Sequence, residues 1–296
     1  MPYSQITYEK QKSIARVIMN RPRYRNALSR TLLTELDNAF ARAADDDDVR
    51  VIILAGAGDH FSAGHDLGTP EEKTGWKEVF VAGNIPEQYK WSWDLYLDLS
   101  LRLRENPKPT IAQVQGYCIF GAWIIASAMD IIVAADDALF LASHFQYFSV
   151  PWDLGVRKTK EMLFRNRFLR AREALDLGLV NHVFPRDGLE AGALAIAEEI
   201  AQNDPFGLRI VKLSINQAQD AMGFRTAVTN AHARYMLLET AGRVRPPGDR
   251  EAGVRILPNV ARALEKLRAE GGEAISGASR ASGRRQRRRP QRSTPS

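Results

Sequence analysis

The sequence predicts an α/β protein with a mainly parallel sheet, followed by an all-helical C-terminal region. Three observations carry this expectation. Strand-like apolar runs alternate with amphipathic helical segments up to about residue 150. The run VRVIILAG is apolar throughout, as in a parallel strand covered on both faces. Beyond about residue 155 the apolar spacing becomes helical.

Taken in order, ITYE and IARVIMN have the β-branched, alternating character of a hairpin, with KQKS as its turn. NRPRYRNALS is a loop punctuated by Pro and Asn. Ser29 then caps a helix whose apolar residues, Leu32, Leu33, Leu36 and Phe40, share one face. The acidic run Asp45–Asp48 is a solvated connector, and VRVIILAG leads into the glycine-rich turn GAGDHFSAGHDL. A helical segment near 88–105 precedes the strand TIAQVQG. GAWIIASAMD is a helix apolar nearly all round and therefore buried. DIIVAADDALFLA supplies two further strands. The stretch from RKTKEMLF to VNHVFP reads as helix, turn and helix, and three more amphipathic helices follow. These observations divide the chain into an α/β core over 1–200, a helical region over 201–270 and a tail over 271–296.

Composition excludes several classes. A chain of 296 residues with 45% hydrophobic and 26% charged residues is neither collagenous, coiled-coil nor wholly disordered. One cysteine, Cys118, leaves no internal disulfide framework and suits a reducing compartment. No run approaches the roughly 20 apolar residues of a membrane span, and the N-terminus lacks the apolar core of a secretory signal. A cytoplasmic location with no membrane association is the expectation. The net charge of +6 resides in residues 271–296, which hold seven Arg and one Glu; the remaining 270 residues balance 34 basic against 34 acidic side chains. That tail has the composition of a disordered segment. No aromatic residue accompanies its arginines to stack on bases, so nucleic acid is not the expected partner.

The glycine-rich turn is no P-loop, since Gly-Lys-Ser/Thr is absent, and Phe61 occupies the third glycine position of a dinucleotide fingerprint. His60, His65 and Asp66 lack further ligands, so no metal site is expected. Backbone approach is the better account. Ala63 and Gly64 let a ligand come close, and Gly121 opens a buried helix whose first N–H is free for a developing negative charge. Two converging N–H groups would make an oxyanion hole. The same glycines serve equally well simply to close turns.

Five segments occur in an informative order: NRPRYRNALS, VRVIILAGAGDHFSAGHDL, KPTIAQVQGYCIFGAW, DIIVAADDALF and AREALDLGLVNHVFP. Together, over about residues 5–240, they resemble the crotonase, or enoyl-CoA hydratase/isomerase, superfamily. The resemblance implies a crotonase-like stack of ββα units with a C-terminal helical trimerisation region, assembled as a homotrimer or a dimer of trimers. It implies an acyl-CoA substrate, with coenzyme A as part of that substrate and no separate cofactor. The oxyanion donors would be the N–H groups of His65 and Gly121. Arg25, Asn26 and Ala27 would meet the CoA adenine and phosphates, as would Ala63, Asp66 and Leu67; Arg25 suits phosphate because it is always charged. Tyr117 and Trp152 would flank the acyl pocket.

The departures are equally informative. The two positions that carry the hydratase glutamates hold Ile124 and, after Ser143, His144. Isoleucine neither holds water nor moves protons. His144 is titratable near neutrality, and Asp153 stands nine residues on, where it would orient the ring. Similar His and Asp positions serve C–C bond hydrolases of cyclic β-diketones within the superfamily, and an Asp nearby is the nucleophile in its haloaryl-CoA dehalogenases. The sequence therefore implies an enoyl-CoA hydratase-like lyase with a His/Asp pair for the usual glutamates. A C–C bond hydrolase of a β-diketone or β-keto-acyl ring is the alternative, and a non-catalytic CoA-binding protein is another.

Overall fold

The computed structural model describes residues 2–70, 72, 84–241 and 257–271, so the arginine-rich tail expected to be disordered lies outside the described residues. Strands β1 (Ile6–Gln11) and β2 (Ile14–Met19) form the N-terminal antiparallel hairpin, turning at Lys12 with a left-handed φ of 53°. Ser29 caps helix α1 (Arg30–Asp45), its side chain accepting from the Leu32 N–H at 3.1 Å. The acidic connector is tied down: Lys10 Nζ bridges Asp46 at 2.9 Å and Asp48 at 3.0 Å.

Strand β3 (Val51–Gly56) is buried along its whole length, as its uninterrupted apolar run requires. It lies between β2 and β4 (Thr110–Val114), parallel to both. With β6 (Ile131–Ala135) and β9 (His182–Phe184) these strands complete a sheet ordered β1-β2-β3-β4-β6-β9. Alternation along the strands divides its faces. Val17, Met19, Ile52, Leu54, Ala112 and Val114 enter the main core with α1, whereas Ile14, Val51, Ile53 and Ile111 pack beneath α8 (Leu189–Ala201). A smaller sheet joins β5 (Tyr117–Ile119), β7 (Leu139–Leu141) and β8 (Leu169–Arg170).

The helical segment before β4 has an irregular middle. Helix α2 (Ile85–Ser92) passes through a π-helical turn, Trp93–Asp98, into α3 (Leu99–Arg104). Helix α4 (Gly121–Ser127) is buried through its first six residues, in line with its nearly all-apolar sequence. The chain continues through α5 (Val150–Leu154), α6 (Val156–Arg165) and α7 (Ala171–Asp176), then α9 (Pro205–Ala221), α10 (Phe224–Thr240) and α11 (Pro258–Ala269). VNHVF, expected to end a helical pair, instead contributes β9. Three residues carry no periodicity of their own; pairing with β6 makes them a strand, and Asn181 extends the ladder by bonding Ile132 through both backbone and side chain. Among the described residues no helix is long and apolar enough to cross a membrane.

Ser29→Ala removes the cap of α1 and the hydroxyl that bonds Gln5. Thermal denaturation of the variant is expected to show a loss of about 1 kcal/mol, or about 2–4 °C in Tm for a chain of this size.

Candidate active site

The site begins with a buried ion pair. Arg21 and Asp66 have side chains 5% and 1% exposed, and Nη1 meets Oδ2 at 2.9 Å. The same Nη1 donates to the Ala27 carbonyl, while Asp66 accepts from the Gly68 and Thr69 N–H groups and the Thr69 hydroxyl. Beside it, fully buried Asn26 donates from Nδ2 to the carbonyls of Ala57 and His60 and accepts from the Arg21 N–H. Ser62 donates to the Asn26 carbonyl and accepts from the Gly64 N–H. Residues 21–29 and 57–69 are thereby locked together, with Arg25 and Asn26 both held at positive φ.

This lock determines which way the His65 amide points. Leu28 bridges to the segment in parallel fashion, donating to the Gly64 carbonyl and accepting from the Asp66 N–H. The N–H of His65, between them, has no hydrogen-bond partner among the described residues. The N–H of Gly121 also has none. The two come together closely: a Cβ on Gly121 would lie 3.2 Å from the His65 nitrogen, and one on Gly64 would lie 3.2 Å from the Gly121 nitrogen. Gly64, at φ 88°, would also drive such a carbon into the Ile119 carbonyl, so glycine is required there. Phe120 takes φ 51° and ψ −103° to start α4 at Gly121, a conformation that costs a non-glycine residue about 1–3 kcal/mol. Two unbonded N–H groups this close together can serve one oxyanion.

The remaining expected residues differ in what they touch. Arg25, Ala27, Ala63 and Leu67 are half-buried around the two amides' loops. Asp66, expected at the ligand, is committed to Arg21 and its own turn, so its role here is to hold the loop. Tyr117, expected beside the acyl pocket, is taken up by packing: its ring stacks on His60 at 4.4 Å and Phe168 at 6.2 Å, within the cluster closed by Leu264 and Leu267 of α11. Trp152 is half-buried, edge-on to Phe224 at 5.6 Å. Trp93 packs on His232 and Trp91 on Tyr96 against the core, while exposed Tyr89 meets the edge of His232.

Ile124 is buried in α4. His144 and Asp153 form no hydrogen bond with each other. Asp153 Oδ2 instead accepts from the Trp123 indole at 2.8 Å and the Ser149 hydroxyl at 2.7 Å. Burial pushes the Asp153 carboxyl up to about 6, against the opposing effect of those two donors. The His144 ring tilts against Phe148 at 4.9 Å, and its Nδ1 is sealed from solvent without a partner. Burial, then the positive charge of Arg234 on α10, lower its pKa, so the ring is neutral at pH 7. His60 is structural: its Nδ1 accepts from the Tyr117 N–H at 3.2 Å, and burial holds its pKa near 4. Among the described residues no cluster of His, Cys, Asp and Glu can hold a metal ion.

Arg21, Ser62, Trp123 and Gln146 were not expected at the site. Only Arg21 left a trace in the sequence, as a charged residue inside the NRPRYRNALS loop. The others act through contacts between distant segments.

The chain as a whole is similar to known proteins. The Enoyl-CoA hydratase/isomerase family model matches residues 9–243. The chain is 37% identical over 243 residues to a Mycobacterium tuberculosis protein provisionally named enoyl-CoA hydratase EchA13, spanning 76% of each chain. A crystal structure of a probable enoyl-CoA hydratase from Mycobacterium smegmatis is 40% identical, with a TM-score of 0.74, covering 81% of this chain and 97% of that one. An enoyl-CoA hydratase/isomerase from Xanthobacter autotrophicus Py2 is 31% identical, also with a TM-score of 0.74, covering 91% and 94%.

Two tests follow from the buried charges. Arg21→Ala leaves Asp66 buried without its counter-charge, and chemical denaturation should show a loss of about 3–5 kcal/mol. Asp153 has a folded pKa near 6, above its unfolded value of about 3.9. Its contribution to stability is complete below the unfolded value and is lost as pH rises through the folded one. Asp153→Asn should therefore gain stability relative to the native chain between about pH 4 and 6, as measured by Tm across that range.

Proposed function

The chain belongs to the enoyl-CoA hydratase/isomerase family, and from that premise we propose that it is an enzyme acting on an acyl-CoA thioester, hydratase-like in chemistry but without the usual glutamates. The observation that carries this reading is the pair of partnerless N–H groups on His65 and Gly121. In a water-excluded site they would hold the thioester oxygen as negative charge collects on it. Arg25, Ala27, Ala63 and Leu67 frame that position for the coenzyme A part of the substrate, and Arg25 offers a guanidinium to phosphate. Trp152 would border the acyl group.

His144 and Asp153 supply the proton chemistry in this proposal. For hydration of a 2-enoyl thioester, neutral His144 takes a proton from water. The water oxygen bonds to the β-carbon, the π pair moves toward the thioester oxygen to form the enolate, and the addition is completed when the α-carbon takes a proton in place of the one left on His144. Asp153, fixed by Trp123 and Ser149, has a pKa near 6 and can exchange a proton near neutrality. A second reading, hydrolysis of a β-diketone or β-keto-acyl ring, is favoured by one observation: Ile124 is buried where hydration normally uses a carboxylate. That reaction needs one activated water and an enolate site. We also propose that the chain assembles as a homotrimer or a dimer of trimers, through the apolar side chains of Phe206, Ile210, Val211 and Leu213 that α9 leaves exposed.

Mass spectrometry after incubation with aliphatic and aromatic 2-enoyl-CoA thioesters tests the reading. The expected result is a gain of one water on the acyl chain, lowered by about 10²–10⁴-fold in His144→Ala with thioester affinity retained. Tight binding without hydration would favour ring-opening hydrolysis or a non-catalytic CoA-binding protein. Unchanged turnover in His144→Ala would remove His144 from the mechanism.

A further inference from the structure

His65 brings more than its amide to the two N–H groups. Its imidazole lies against Gly121, where a Cβ would overlap Nδ1 and sit 2.6 Å from Cε1. The ring also tilts against Tyr96, with centroids 4.4 Å apart. Tyr96 is delivered by the π-helical turn Trp93–Asp98, a form of helix frequent at functional sites. Asp66, next in the chain, is committed to Arg21 and its own turn.

The protonation of the ring follows from its neighbours. Nε2 is sealed from solvent with no close partner, and so is Oε1 of Gln146. Gln146 is 3% exposed, and its carboxamide near the ring raises the imidazole pKa against the larger effect of burial. A neutral imidazole has one N–H and one lone pair. A proton on Nε2 complements the orphaned acceptor of Gln146, and that match assigns the proton to Nε2. The lone pair is then on Nδ1, which faces Gly121. Burial keeps the ring neutral, holding its pKa near 4.

We propose that the imidazole of His65 is a catalytic base whose Nδ1 removes the proton from the acyl α-carbon, with Gln146 as the positioning residue that fixes its tautomer. The inference rests on the acyl-thioester reading above. In the step, the α-carbon–hydrogen bond breaks and its electron pair enters the enolate held by the two amides. The proton passes to Nδ1, and its return to the α-carbon restores the neutral ring. His144 keeps the separate task at water and the β-carbon. The two groups sit on linked segments, because the loop that carries His144 also carries Gln146.

The α-proton step can be read alone. The full chain is incubated with 3-hydroxybutyryl-CoA in deuterium oxide, and deuterium at the α-carbon is followed by mass spectrometry. His65→Ala keeps the backbone amide, so exchange should fall by about 10²–10⁴-fold with thioester affinity changed less than about threefold. His65→Gln should behave alike. Ring ¹⁵N NMR of the native chain at pH 7 should show His65 protonated on Nε2 alone, and Gln146→Leu should mix the tautomers. Exchange at the native rate in both His65 variants overturns the inference while leaving the thioester reading intact, and so does a proton on Nδ1. If the native chain neither binds the thioester nor exchanges its α-proton, the thioester reading fails, and this inference with it.

Discussion

The Arg21–Asp66 pair is the constraint on which the candidate site depends. Neither charge reaches water, and each is held by further hydrogen bonds within the two loops it joins. Removing two charges from water is costly, so such a pair persists only with good geometry and nearly complete satisfaction of its donors and acceptors. Asn26 extends the lock by spending its carboxamide on three backbone groups. The result is a bridge at Leu28 that uses the amides and carbonyls on either side of His65 and leaves the His65 N–H free. An unpaired amide next to another unpaired amide is unfavourable in the empty protein. Its persistence here is explained by the surrounding network, which leaves the loop no alternative arrangement.

A second layer of constraint comes from the packed helices. Helix α4 is buried through its first six residues, and it presents Gly121 at one end and the Trp123 indole on its flank. Ser127 on the same helix bonds Ser149, which in turn bonds Asp153. Asp153 is therefore positioned by the helix that supplies one of the two amides. His144 lacks such support on its ring nitrogens. Its environment is the Phe148 ring and the field of Arg234, which together with burial favour the neutral imidazole. Asp153 and His144 thus differ in how firmly each is held.

Much of this was legible in the chain. The hairpin, the Ser29 cap, the buried run of β3 and the apolar α4 all follow from local patterns, because burial on both faces or on one stripe leaves a visible period. The positions of His65, Gly121, His144 and Asp153 followed from motifs. The short strand β9 was not legible, since three residues carry no period and acquire their form from β6. The contacts of Asp66 and Tyr117 were not legible for a related reason. A side chain beside a motif can face either the ligand or the core, and the partners that decide this, Arg21 for one and His60 with Phe168 for the other, come from distant parts of the chain.

The sequence by itself determined that the fold is α/β with a helical C-terminal region, and that Ile124 and His144 stand in the segments that carry the family resemblance. Those are statements about residue types and their order. The tertiary structure decided which groups meet: that Asp153 bonds Trp123 and Ser149 and not His144, and that the His65 imidazole accompanies its amide to Gly121 between Tyr96 and Gln146. Hydrogen bonds and desolvation act over a few ångströms, whereas their partners here are separated by up to about 80 residues along the chain. Spacing along the sequence cannot encode that proximity, and packing does.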